Sequence, residues 1–310
     1  MSPAKPNFGV YTPLVTFFQE DESLDFQSTL AHVKRMAEGG VAGLVLQGSN
    51  GEAPHLDHAE RKALVRAVRD HLNQLGFPGL QLIVGCGAPS VRETLSYIFE
   101  SRESGANFAL VLPPAYWVAA MNVQVIEDFF RDVAAQSELP ILIYNFPGVT
   151  GGIDITSDSI IRLAQTTPNI IGCKLTCGNV GKLQRITSAT LTDSFAAFSG
   201  KSDFFLPALV AGSNGVIAAL ANIVPKVHVE LLQRYERGEL KAAQELQAKL
   251  SHADWALTKV GIAGVKAVVS HNFAYGTGRG RRPLGNITIA SLSQDIVGSI
   301  QEVVDLEKAL

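Results

Sequence analysis

The sequence is poor in the features that mark several large protein classes. It holds only three cysteines, Cys86, Cys173 and Cys177, with no CxxC spacing. That is too few for a disulfide framework or a thiolate zinc site, so the expected compartment is a reducing one. Positive charge is not in excess: 26 Lys and Arg stand against 29 Asp and Glu, a net charge of −3. Such a balance supplies no basic field for nucleic acid or for an anionic membrane surface. No window approaches the roughly 18 consecutive apolar residues of a membrane span. Met1 to Asn7 has neither an apolar core nor an Arg-rich amphipathic pattern, and the expected location is the cytosol. The Gly-rich dinucleotide fingerprint is missing after the first strand, and no GxSxG elbow supports a serine hydrolase.

What is present is 46% hydrophobic residues, 18% charged residues and 28 glycines, the profile of an ordered globular chain with many tight turns and a small-molecule partner. A length of 310 residues suits one barrel with an appendage or two ordinary domains. Eight nearly continuous apolar runs recur: Val10 to Val15, Gly43 to Gln47, Leu80 to Val84, Phe108 to Leu112, Ile141 to Tyr144, Ile170 to Lys174, Phe195 to Phe198 and Val216 to Ala219. Runs without alternation are expected of parallel strands covered on both faces.

Helical patterns lie between them at Phe26 to Glu38, Ala59 to Leu72, Val91 to Ser104, Val123 to Gln136, Ser157 to Gln165, Val180 to Ser188, Asp203 to Ala211, and from Pro225 onward. Asp57 with Glu60 reads as a capping box, and Pro225 as a helix opener. The alternation predicts a (β/α)8 TIM barrel over residues 1–237, with a doubly wound open sheet as the alternative. Residues 238–310 read as a helical extension, with helices at Leu240 to Lys259, Gly264 to Asn272 and Ile289 to Lys308. The Gly276 to Pro283 loop carries three arginines, more a solvated surface or subunit contact than an anion site.

A barrel's chemistry sits at the C-terminal ends of its strands. Lys174 closes an apolar strand there; desolvation disfavours its charged form, and a neutral amine can attack a ketone to give an imine. A plain alternative is a lysine snorkelling to water from the strand end or paired with a carboxylate. Tyr144 ends the neighbouring strand and could shuttle protons, or simply keep its hydroxyl wet. The Gly48-Ser49-Asn50-Gly51-Glu52 loop offers amides and polar side chains to a carboxylate. Its second copy, Gly212 to Gly215, precedes a strand and so belongs to the stability face. Pro113 to Trp117 puts Tyr116 and Trp117 on an exposed loop, as a substrate wall or an interface anchor. His55 and His58 lack a third ligand, so no metal is expected, and imine chemistry on Lys174 would need no organic cofactor.

Taken in order, TPLVTFF from Thr12, GSNGE, the tyrosine after Pro-Pro, YNFPGVTG, IIGCK, the segment at Ser199 and the helical tail resemble the dihydrodipicolinate synthase / N-acetylneuraminate lyase family. The resemblance implies that Lys174 forms an imine with pyruvate and that Tyr144 transfers protons. Ser49 matches the relay hydroxyl, and Tyr116 the relay tyrosine that reaches into a neighbouring subunit's site. Asn50, Gly48 and nearby amides match the carboxylate clamp, while Gly200 and Ile217 match backbone positions lining the pocket. Val149 stands where the synthase branch has an arginine, which speaks against synthase activity; Leu175 replaces a residue that is often acidic.

GSNGE, GKSD and GIAGVK look most like 4-hydroxy-2-oxoglutarate aldolases and 2-keto-3-deoxy sugar acid aldolases, which release pyruvate and an aldehyde. Lys201 would either pair with a second carboxylate, favouring an oxoglutarate-type substrate, or point to solvent; the sugar acid is the expected substrate, with 4-hydroxy-2-oxoglutarate as the alternative. A homotetramer of two tight dimers is implied by the resemblance. A metal-dependent barrel enzyme using His55 or His58 and a non-catalytic keto-acid sensor are the competing readings.

Overall fold

Each apolar run becomes a strand because its two faces are both buried, one inside a barrel and the other under helices. In the computed structural model, which describes residues 4–191 and 193–310, the strands are β1 Gly9–Pro13, β2 Gly43–Leu46, β3 Gln81–Gly85, β4 Phe108–Val111, β5 Ile141–Asn145, β6 Ile170–Leu175, β7 Ala196–Ser199 and β8 Gly215–Ile217. Met1 to Pro3, part of the leading segment read above, lie outside the described residues. Every strand pairs in parallel with its chain neighbour, and β8 closes on β1 through Gly9↔Gly215 and Tyr11↔Ile217. The expected TIM barrel is therefore formed, and closure excludes the open sheet. Strand ends depart from the sequence expectation by one or two residues, where hydrogen bonding rather than side-chain pattern decides.

The helices of the barrel are α1 Phe26–Glu38, α2 His58–Gln74, α3 Val91–Glu103, α4 Val123–Gln136, α5 Ser157–Thr166, α6 Val180–Ala189, α7 Phe205–Val210 and α8 Pro225–Glu236. The Asp57–Glu60 capping box is present at α2. Helix α7 is shorter than expected because a 3-10 turn, Ser202–Phe204, occupies its start. The long helix of the extension, α9 Leu240–Phe273, holds that turn: Gln247 Nε2 donates to Ser202 O at 2.8 Å and Ser251 Oγ to Asp203 O at 3.0 Å.

Gly261 (φ 61°, ψ −158°) breaks α9 in two, at the gap the sequence left between its first two tail helices. Only glycine adopts that conformation cheaply. The last helix, α10 Gln294–Ala309, starts later than expected, after a 3-10 turn at Ile289–Ser291. Among the described residues no helix is long and apolar enough to cross a membrane. In the basic loop, Arg279 and Arg282 are exposed and pair with Glu20 and Glu22, whereas Arg281 is largely buried and grips both oxygens of Glu60. The solvated-surface reading holds for two of the three.

The extension also buries acid. Asp254 on α9 is 4% exposed, and burial together with nearby Asp203 pushes its carboxyl up to about 7, against a smaller opposing pull from Lys201. The folded protein keeps that proton to about pH 7, while the unfolded chain releases it near pH 4. Stability from this group therefore falls as pH rises through that window and is level above it. Asp254→Asn is expected to raise the melting temperature by about 5 °C at pH 8, on the order of 2 kcal/mol, and to leave it unchanged near pH 4. Calorimetry at both pH values checks this; an equal shift at both would contradict it.

Candidate active site

Whether Lys174 faces the barrel interior or the helices is decided by one extra residue. In β6, Ile170 belongs to the outer hydrophobic layer with Ile141 and Ile143, and strict alternation would send Lys174 outward as well. The register between β5 and β6 slips, from Ile141↔Ile170 to Leu142↔Gly172, so that Ile171 is bulged. Beyond the bulge, Cys173 and Leu175 face outward and Lys174 turns inward, beside Tyr144 and Phe198 of the inner layer. Glycine at 172 is required there, since a Cβ would sit 2.4 Å from Ala196 O.

Lys174 and Tyr144 are then register partners at the C-terminal ends of adjacent strands. Lys174 Nζ donates to Tyr144 Oη at 3.2 Å and lies 4.4 Å from the ring centroid, and each residue is 3% exposed. At 3% exposure Lys174 does not snorkel to water, and among the described residues no carboxylate forms an ion pair with it, which leaves a buried amine with one phenolic partner. Phe146 stacks on Tyr144 at 5.8 Å. Asn145, fully buried, accepts from Ile155 N at 2.9 Å and donates to Asp154 at 2.7 Å, anchoring the chain just after Tyr144.

A cavity of about 730 Å³ opens at this end of the barrel. Gly48, Ser49, Tyr116 and Tyr144 line it, together with Val149, and Ile262 and Leu284 of the extension supply part of the wall. Lys174 is not itself part of the lining; it lies behind Tyr144, which is. Asn50 is half-buried in the loop beside Ser49. Gly200 N donates to Leu175 O at 3.0 Å, tying the end of β7 to β6, and Ile217 is buried inside the barrel next to Tyr11. Asn50, Gly200, Ile217 and Lys201 lie outside the cavity lining. The charge of Lys201 acts on Asp203 and Asp254.

Tyr116 is 80% exposed and makes an edge contact with Trp117 at 5.4 Å. Within one chain, no hydrogen bond among the described residues joins Ser49 or Tyr116 to Tyr144. His55 Nδ1 contacts Glu52 at 3.0 Å, while His58 sits between Glu93 and Glu100. The described residues contain no group of three His, Cys, Asp or Glu side chains able to hold a metal ion.

Sequence reasoning missed the buried ion pair of Lys266 with Glu52, 2.7 Å apart and both side chains fully enclosed. Removing one partner of such a pair costs about 3–5 kcal/mol, because the other charge is left alone in the interior. The available signal was a single charge inside the apolar stretch Gly261 to Val269. Arg61 was missed too: buried against Tyr97 at 3.9 Å from ring centroid to guanidinium carbon, it forms part of the cavity wall.

A closed parallel barrel with a buried amine set on a phenol at its C-terminal mouth defines a class of barrel proteins equipped to bind carbonyl compounds. The chain belongs to the Dihydrodipicolinate synthetase family, whose model matches residues 7–295. It is 42% identical over 305 residues to "Probable 4-hydroxy-2-oxoglutarate aldolase, mitochondrial" of Emericella nidulans, covering 97% of this chain and 96% of that protein. It is 41% identical to the L-threo-3-deoxy-hexylosonate aldolase of Hypocrea jecorina, over the whole of both chains. Among solved structures, a dihydrodipicolinate synthase family protein from Coccidioides immitis superposes with a TM-score of 0.90 at 36% identity over the full length of both. YagE of Escherichia coli K12, solved in complex with pyruvate, gives 0.84 at 26% identity, covering 97% of this chain and 98% of that one.

Proposed function

We propose that the protein is an imine-forming aldolase that cleaves a 4-hydroxy-2-keto acid, a 2-keto-3-deoxy sugar acid such as L-threo-3-deoxy-hexulosonate, into pyruvate and an aldehyde. The observation that carries the reading is the buried Lys174 amine held 3.2 Å from the Tyr144 hydroxyl. Lys174 attacks the C2 ketone, water leaves, and a protonated imine forms. Tyr144 takes the proton from the C4 hydroxyl, the C3–C4 bond breaks, and its electron pair enters the imine to give an enamine. The aldehyde departs, C3 gains a proton, and water hydrolyses the imine to pyruvate and free Lys174.

Gly48 and Ser49 of the cavity wall, with Asn50 beside them in the loop, hold the keto acid's carboxylate, and Gly200 and Ile217 support the barrel behind the lining. Ser49 and Tyr116 relay protons to Tyr144, the tyrosine coming from a second copy of the chain. Its 80% exposure in the single chain suits that role. The assembly is then a homotetramer of two tight dimers. Residues 1–237 act as the catalytic barrel and 238–310 as its helical extension. The three cysteines are free, which supports a reducing compartment, taken here as the cytosol.

The second reading is cleavage of 4-hydroxy-2-oxoglutarate to pyruvate and glyoxylate, favoured by the likeness to the Emericella nidulans protein. Lys201, which lies outside the cavity lining and whose charge acts on Asp203 and Asp254, supports the sugar acid over that dicarboxylate. Assaying pyruvate release from both substrates across a size-exclusion profile tests these points together. Faster turnover of the 2-keto-3-deoxyhexonate in a tetramer-sized peak is expected. Preference for 4-hydroxy-2-oxoglutarate would establish the second reading, and full activity in a monomer peak would remove Tyr116 from the relay.

A further inference from the structure

The loop after β2 is folded on itself: Gly51 N donates to Gly48 O at 3.1 Å, Glu52 N to Ser49 O at 3.2 Å and Ala53 N to Gly48 O at 3.3 Å. Glu52 closes it with φ 54° and ψ 40°, a left-handed backbone that a residue other than glycine keeps only when its surroundings enforce it. The enforcement is visible. Glu52 Oε1 accepts from Lys266 Nζ at 2.7 Å, and Oε2 meets Arg281 N at 2.9 Å and His55 Nδ1 at 3.0 Å. The Phe18 ring covers the cluster, 4.5 Å from Lys266 Nζ and 4.4 Å from the Arg281 guanidinium carbon. Lys266 lies in α9 beyond the Gly261 break, and Ile262 from the same half-helix lines the cavity.

A fully buried ion pair is a weak stabiliser compared with apolar residues of the same volume, so stability alone gives little reason for one inside an apolar helix. What a pair with this geometry does supply is a fixed position. Both carboxylate oxygens of Glu52 are committed, and its amide holds the carbonyl of Ser49, so displacing Glu52 displaces Ser49 directly. We propose that Glu52 and Lys266 are a positioning pair through which the C-terminal extension holds the Gly48 to Ala53 loop in the shape that receives the keto acid's carboxylate. The inference rests on the carboxylate-binding role given to that loop above.

The test is steady-state cleavage by the full-length enzyme, using whichever of 2-keto-3-deoxyhexonate and 4-hydroxy-2-oxoglutarate the parent turns over faster. Lys266→Met is expected to raise KM about tenfold or more with a smaller fall in kcat, since misplacing a binding group by about 1 Å can cost as much as 10²-fold. Lys266→Arg, which keeps the charge, should recover most of the loss. Glu52→Gln keeps an acceptor for the Arg281 amide and carries the measurement if Lys266→Met folds poorly; its KM should rise in the same sense. A lowered melting temperature with KM and kcat unchanged in the folded fraction would overturn the proposal, leaving the pair a purely structural one. Borohydride trapping of the parent reports on Lys174 by itself, so its failure would remove the imine and leave the KM comparison standing.

Discussion

Lys174→Ala should lower aldolase turnover by roughly 10⁵-fold while leaving the melting temperature within a few degrees of the parent's. The size of the effect follows from having no substitute: Nζ is the amine on the barrel's inner face beside Tyr144, and the C3–C4 bond breaks only when an imine can accept its electrons. The fold survives because, among the described residues, no carboxylate pairs with Lys174 and would be stranded in the interior. Lys174→Arg makes the stricter control, keeping length and a positive charge without a nucleophile that can form the imine. Both variants should be equally inactive. An arginine variant with substantial turnover would mean that the cation, and not the amine, matters.

Tyr144→Phe is expected to lower kcat by about 10²- to 10³-fold with KM changed less than threefold, the range for loss of a general acid–base group. The substitution removes one oxygen, 3.2 Å from Nζ, and retains the ring that packs on Phe146 and against the amine. Pyruvate should still be trapped on Lys174 by borohydride, only more slowly, because the proton transfers of carbinolamine and imine formation lose their partner. Unchanged kcat in Tyr144→Phe would pass the proton-transfer role to another group. Rescue by a cross-subunit tyrosine is excluded from the comparison by measuring Tyr116→Phe alongside.

The barrel was legible in the sequence because its determinants are local: eight apolar runs without alternation, helices capped as at Asp57, and a glycine at 261 where the tail helices part. Lys174 and Tyr144 were legible as strand-end residues on consecutive strands. Their meeting was not. An undisturbed alternation from Ile170 points Lys174 at the helices, and only the bulge at Ile171, which involves the pairing with β5, turns it inward. The ion pair of Glu52 and Lys266 was hidden for a different reason: its partners are 214 residues apart, and the contact exists only once the extension has folded back over the barrel mouth. The same folding back withdrew Arg281 from a loop that composition alone makes look solvated.

The reach of Lys174 Nζ for a keto acid is measured most directly by mixing the protein with pyruvate, reducing with borohydride and mapping the modified peptide by mass spectrometry. The account predicts one reduced pyruvate adduct per chain, on Lys174, and none in Lys174→Ala. An adduct on another lysine, or one that persists in that variant, would contradict it.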